Sequence, residues 1–476
     1  MDVELQINNS ANPLARFVSW APSPCRIRVT NPSGATTPTV DVTIAGVSVA
    51  GGGAVVFRSG TTGSAVSRPS LKRGDRGPAV IDLQNLLGVK ADGQFGSQTE
   101  RAVRAFQASR NIFVDGVVGS HTWEALTASL ASAAFSNSLT LPVPTDGTSV
   151  PFFVAGKFGQ PSVNNGDVTI AAHSGTTLVG SVEVMVRIRK NANALTTGER
   201  NRFVSAFAQL NSQGLGRFAD FRNMHTDVTS PQAHGAPGFL PWHRAYLLDL
   251  ERELQGIDPS VALPYWRFDQ AAPNLFKPDY FGASDSLGTV QFSATNPLQF
   301  WTTDGVQGIN RRPFFNTAAA PEDLRTEAQT LGLGTRYSAF RTMEGNPHGY
   351  AHASFGGSIS EIDTAAKDPL FFLLHCNVDR LWAKWQRQNR RFDSAQADSF
   401  HNSGRNPIGH NLSETMWPWN GITGGQRPPT APGGAMAASP CVSAPGPTPR
   451  VRDCLDYHGV VNASSNMGFD YDDVSL

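Results

Sequence analysis

Six of the eleven histidines stand in two groups of three, and that grouping restricts what the chain can fold into. His225, His234 and His243 lie within nineteen residues, and His348, His352 and His375 follow later in the chain. A neutral imidazole is the commonest metal ligand in proteins. His348 and His352 are four apart, so a helix presents both on one face. His375 sits in DPLFFLLHCNVDRLWAKWQ, where Phe371, Leu374, Val378, Leu381, Trp382 and Trp385 form an apolar stripe, so it points into a core. Asp368 suits the cap of that helix and Pro369 its first turn. Pro241 and Trp242 open a second helix, with His243, Leu247, Leu250 and Leu254 on its buried side.

Taken singly, each such histidine reads as a hydrogen-bonded core residue. Six of them, grouped three and three on helices, point to metal chemistry instead. Three histidines with an open position also describe catalytic zinc. Two such sets without a carboxylate or cysteine ligand point to a metal that favours imidazole and binds dioxygen, and copper fits.

The rest of the 476 residues divides by pattern. Residues 1–65 alternate apolar and polar positions, as in CRIRVT and TVDVTIAGVSV, and read as short strands of a sheet or sandwich. Residues 71–130 carry an internal repeat: DGQFGSQT, from Asp92, returns as DGVVGSHT, from Asp115. Its glycines permit a tight turn, and Ser97 and Ser120 suit helix caps. Residues 136–184 return to strand patterning, possible partners for the first sixty residues with the helical module inserted between. Thr196 to Glu199 form a capping-box pattern, and Phe203, Phe207 and Leu210 mark the face of the helix that follows. Near the end, TGGQRPPTAPGGAMAASPCVSAPGPTP reads as a Pro/Gly-rich connector, and DCLDYHGVVNASSNMGFDYDDV as one or two closing strands.

Lys+Arg and Asp+Glu are both 39, so nothing here favours nucleic acid or an anionic membrane as a partner. There is no run of about 18 apolar residues, hence no expected transmembrane helix. The first residues lack the basic start and apolar core of a secretory signal. The four cysteines, Cys25, Cys376, Cys441 and Cys454, form no C-x-x-C pair, and free thiols are expected.

Two resemblances follow from these residues. LKRGDRGPAVIDLQNLL, DGQFGSQTERAVRAFQ and VDGVVGSHTWEAL closely resemble the three-helix peptidoglycan-binding domain over its whole length. Its implied partner is cell-wall glycan, with a packing role as the alternative. The module points to the envelope, whereas the missing signal points to the cytoplasm. Residues 185–475 resemble the type 3 dicopper family of tyrosinases, catechol oxidases and molluscan haemocyanins. The first signature is HGAPGFLPWHR, from His234, followed by Leu247 and Glu251. The second is DPLFFLLHCNVDR, from Asp368.

The resemblance implies a multidomain protein. Its catalytic domain, 185–476, would be mainly α-helical, with a four-helix bundle around a dicopper centre. The N-terminal β-domain and the small three-helix module accompany it. Two copper ions would be held by His225, His234 and His243 and by His348, His352 and His375, with dioxygen as co-substrate. The implied activity is oxidation of o-diphenols to o-quinones. Oxidation of o-aminophenols in a biosynthetic pathway and haemocyanin-like oxygen carriage stand as alternatives. Glu344, four residues before His348, matches a family glutamate that holds a water and acts as or positions a base. Many monophenol-active members carry asparagine directly after the His348 position. This chain has Gly349 there, so diphenol oxidation is expected and monophenol hydroxylation stays open. Gly349 and Ile362 are the candidate substrate gate. Asp379, one turn after His375, is a candidate partner of a ligand or of an arginine. Ser230 to Ala233 contain no cysteine, so no thioether to His234 is expected, and no C-terminal lid is expected after MGFDYDD. His121, His173, His401, His410 and His458 are read as surface or hydrogen-bonding residues.

Overall fold

The computed structural model describes residues 2–31, 39–60, 69–109, 114–119, 122, 123, 126, 135–226, 228–401, 408–422, 448–462 and 465–475. Alternation builds the first body. In Ser23–Thr30, Ser23, Cys25, Ile27 and Val29 point inward while Arg26, Arg28 and Thr30 face water. The strands are β1 (Asp2–Gln6), β2 (Phe17–Val18), β3 (Ser23–Thr30), β4 (Thr39–Ser48), β5 (Val55–Ser59), β6 (Ser138–Pro144), β7 (Val150–Gly156), β8 (Val168–Ser174) and β9 (Thr177–Val186). They pair as β1-β3-β7-β5 and β2-β9-β8-β4-β6. Only β2 with β9 is parallel among these pairs. Strands from before and after the helical module therefore stand side by side in both sheets. Trp20, Ile27, Ile44, Phe57, Val154, Ile170 and Val184 fill the space between them. Burying each such side chain contributes about 1.5–3 kcal/mol.

The helical module folds around its repeat. Helices α1 (Pro78–Leu87) and α2 (Ser97–Ser109) pack with Leu71, Phe95, Val118, Trp123 and Leu126. The buried Gln84 amide bonds Asp92, Gly93, Gln94 and Thr99. Gln107 repeats every one of these contacts with Asp115, Gly116, Val117 and Thr122. Gly93 (φ +71°) and Gly116 (φ +73°) adopt the left-handed turn the repeat requires. Ser120 and His121 lie outside the described residues.

The largest core belongs to the helical region from Ala192 onward. Its helices are α3 (Thr197–Asn211), α4 (Phe218–Met224), α5 (Ser230–Ala233), α6 (Phe239–Ile257), α7 (Glu327–Leu331), α8 (Tyr337–Phe340), α9 (Tyr350–Ala353) and α10 (Leu370–Asn389). The capping box opens α3: Glu199 N donates to Thr196 Oγ1 at 3.3 Å and Thr196 N to Glu199 Oε2 at 2.9 Å. Helix α6 begins at Phe239, two residues before the expected start, because Pro241 needs no N–H partner in a first turn. Helices α6 and α10 are buried on nearly every side. Among the described residues no helix is long and apolar enough to cross a membrane.

Buried charges pin these two helices. Arg189 pairs with Glu251 of α6 at 2.7 Å and with Asp379 of α10 at 3.2 Å. Arg244 of α6 reaches the same Asp379 at 2.6 Å, and Tyr471 Oη donates to it at 2.6 Å. Two cations thus meet two anions out of water. The closing strands expected near the C-terminus do not form among the described residues. Val451–Cys454 is a short 3₁₀ turn, and only an isolated bridge joins Arg189 to Tyr471. Carboxylates take the place of a ladder. Asp456 accepts from the amides of Val460, Val461 and Asn462, and Asp470 accepts from Trp20 N at 2.9 Å. Trp20 Nε1 also donates to Tyr471 O at 2.9 Å, so the sandwich is hydrogen-bonded to the helical region.

Candidate metal centre

The first triad is assembled at helix ends. His225 follows the last residue of α4, His234 the last residue of α5, and His243 lies in the second turn of α6. The second triad comes from a tight stretch and a long helix. His348 lies in the wide turn Gly345–Gly349, His352 in α9 and His375 in α10. Asn346 is not helical (φ −136°, ψ 122°), so the helix expected around His348 and His352 starts only after it. Within each triad the ligating atoms lie within 4.8 Å of one another. Among the described residues, these two histidine groups are the ones that bring three such donors together.

Backbone carbonyls decide which ring nitrogen is free. His243 Nδ1 meets Phe239 O at 2.8 Å, His348 Nδ1 meets Glu344 O at 2.7 Å, and His352 Nδ1 meets Ile359 O at 2.6 Å. A carbonyl only accepts, so each Nδ1 carries the hydrogen and each Nε2 presents a lone pair. His375 Nε2 lies 3.3 Å from His348 Nε2 and 3.2 Å from His352 Nε2. With one proton at most, His375 Nε2 satisfies one of these lone pairs and repels the other. Its Nδ1 is buried without a partner, as are His243 Nε2 and both nitrogens of His225. A cation among the nitrogens resolves this conflict. Two nitrogens 3.2–3.3 Å apart suit one ion at the metal–imidazole distance of about 2.0 Å.

Burial pushes the pKa of all six imidazoles down, reinforced in most of them by neighbouring histidines. His234 and His352 fall to about 4. At neutral pH the rings are uncharged, so a metal does not compete with the imidazolium proton. A set of neutral imidazoles suits copper.

The two triads face each other. The His243 and His375 rings stack at 4.1 Å between centroids, with 11° between their planes. Two phenylalanines wall the centre. Phe371 lies 4.2 Å from the His375 ring and 4.7 Å from His225, and Phe239 lies 4.8 Å from both His243 and His348. In sequence Phe371 belongs to the apolar stripe of its helix and Phe239 to the first signature. Their common signal was the offset, each standing four residues before a helical histidine.

The other candidate residues are placed as follows. Glu344 is mostly buried; its Oε1 accepts from Gly235 N at 2.5 Å and its Oε2 meets Arg341 Nη1 at 3.2 Å. Burial raises its pKa, and the Gly235 amide and Arg341 oppose that shift. At Gly349 an added Cβ would meet only Glu344 O, at 3.4 Å. Ile362 is 47% exposed, and its backbone comes close to His225 without forming a hydrogen bond. Asp379 turns to arginines, not to a histidine. Asp368 accepts from Leu370 N as a cap does, and also pairs with Arg311 at 2.5 Å. Cys376 faces Leu263 O, and Cys25, Cys376 and Cys454 are free and buried; Cys441 lies outside the described residues. His458 pairs with Asp470 at 2.5 Å.

Comparison with known proteins matches residues 215–388 to the common central domain of tyrosinase and residues 76–126 to a putative peptidoglycan binding domain. The tyrosinase of Streptomyces glaucescens is 34% identical over 265 residues, covering 49% of this chain and 92% of that protein. The tyrosinase of Streptomyces antibioticus is 33% identical over 268 residues, covering 50% and 94%. Grixazone synthase of Streptomyces griseus is 30% identical over 267 residues, covering 43% and 86%.

Proposed function

This chain belongs to the tyrosinase family of type 3 copper oxidoreductases, and from that premise we propose that it oxidises o-diphenols to o-quinones with dioxygen. The observation that most supports this reading is the pair of neutral histidine triads facing each other across the stacked His243 and His375 rings. His225, His234 and His243 hold one copper in this reading, and His348, His352 and His375 the other. Helices α4, α6, α9 and α10 form the bundle around them, and the strands of 1–65 and 136–184 form one β-domain. The copper pair supplies the two-electron oxidant. Two diphenols give two quinones while one dioxygen becomes two waters.

The chain's own residues do the rest. Phe239 and Phe371 keep bulk water from the histidines and fix their rings. Glu344, desolvated yet still holding unused lone pairs, takes up or positions the phenol proton. Gly349 leaves room for an aromatic ring beside His348, and Ile362 lines its path. Residues 71–130 dock the enzyme on wall glycan.

The test is an oxygen-uptake assay with tyrosine, catechol and o-aminophenol on copper-loaded protein. Catechol turnover is expected, lost to background in His243→Ala and in His375→Ala. Undiminished turnover in either variant refutes the ligand assignment. Reversible oxygen binding without turnover would mark a carrier instead.

A further inference from the structure

His234 is the least buried ligand of the first triad. It is half-buried, whereas His225 and His243 are buried. Its backbone is extended (φ −136°, ψ 151°) after a four-residue helix, and Gly235 follows in the left-handed region at φ +68°. No carbonyl stands behind its Nδ1, which meets only Ser230 Oγ, at 3.3 Å. By contrast, His243 sits inside a 19-residue helix with Phe239 O behind it. Contacts from elsewhere in the chain help to hold the His234 loop.

Glu344 and Arg341 reach that loop from the second triad. Glu344 Oε1 accepts from Gly235 N at 2.5 Å. Arg341 Nη1 holds the other carboxylate oxygen at 3.2 Å, and Arg341 Nη2 donates to Gly235 O at 3.4 Å. Gly235, the residue after His234, is thus held at both its N–H and its C=O. Glu344 also works in the other direction, since its backbone carbonyl orients His348 through Nδ1 at 2.7 Å. One residue therefore reaches both triads, its side chain holding the residue next to His234 and its main chain holding His348.

We infer that Arg341 is a positioning residue: together with Glu344 it clasps the backbone of Gly235 on both sides and so fixes His234 of the first triad relative to the second. The inference rests on the ligand assignment proposed above. Arg341 touches no ligand ring. It acts on His234 through the Glu344 carboxylate and through Gly235 O. Groups that orient metal ligands typically change metal affinity by about 10- to 100-fold when lost.

The test is a copper(I) titration of metal-free full-length protein against a chromophoric chelator. Each triad is read alone, the first in a His375→Ala background and the second in His243→Ala. Unmodified protein is expected to take up two ions. Arg341→Met should weaken the first triad by about 10- to 100-fold and leave the second unchanged. Arg341→Lys, which keeps a cation near the carboxylate, should fall between. Arg341 is 26% exposed, so metal-free thermal midpoints should coincide across the three proteins. Equal weakening at both triads, or none at either, overturns the clasp. If the unmodified protein takes up fewer than two ions, the ligand assignment fails first and the clasp with it.

Discussion

At the scale of single residues, the centre depends on groups that never donate to a metal. Three carbonyls choose the tautomer of His243, His348 and His352, and two phenylalanines pack against the rings. Phe371 is fully buried and touches rings of both triads. Replacing it with alanine should cost about 3–5 kcal/mol of stability, through lost burial and the cavity left behind. Denaturant unfolding of metal-free protein measures this. A cost below about 1 kcal/mol would mean that the site collapses around the gap, which the stacked His243 and His375 rings resist. Phe371 and Phe239 were legible as apolar positions. Their contact with histidines of two different triads depends on helices distant in sequence, so spacing along the chain carried no sign of it.

At the scale of elements, α10 is fastened at its outer end by ions. Arg380 and Lys384 meet Glu327 of α7 and Asp473 near the C-terminus. Burial works against ionising both acids, but the two cations outweigh it and hold Glu327 and Asp473 below their ordinary pKa values. A carboxylate with a depressed folded-state pKa adds stability above its unfolded value, about 4.5 for Glu327, and loses it as pH falls through the folded value. Glu327→Gln should therefore melt below the unmodified protein at pH 7, and the gap should close as pH falls below about 4.5. A gap that stays constant across that range would show that Glu327 contributes by shape and not by charge. The elements themselves divide by legibility. The α3 capping box lies within four residues and could be read directly. The lack of C-terminal strands among the described residues could not, because Asp456 and Asp470 spend their oxygens on amides that a ladder would otherwise have paired.

At the scale of the whole molecule, the three larger cores among the described residues lie along one chain. The sandwich is hydrogen-bonded to the helical region through Trp20, Asp470 and Tyr471. The repeat module is inserted between strands that pair with each other's neighbours. Each half of that module is closed by its own buried glutamine, so its fold depends little on the rest. If it docks the enzyme on wall glycan, the full chain should co-sediment with purified peptidoglycan, and a chain lacking 69–130 should stay in the supernatant while keeping its diphenol turnover. Equal sedimentation of both would leave the module as a packing unit.

The sequence alone determined whatever depends on neighbours a few positions away. That covers the grouping of the histidines, the i and i+4 pair His348 and His352, the apolar stripe around His375, the alternation of the strands, and the repeated turn with its glycines. Backbone geometry fixes those relations before the chain collapses. Tertiary structure alone decided which groups meet across long separations. It set His243 against His375, Asp379 between Arg189 and Arg244, and Glu344 against Gly235. Such contacts form only when whole helices pack. A buried charge or lone pair then takes whichever partner the packing brings within reach, because water is no longer there to serve it.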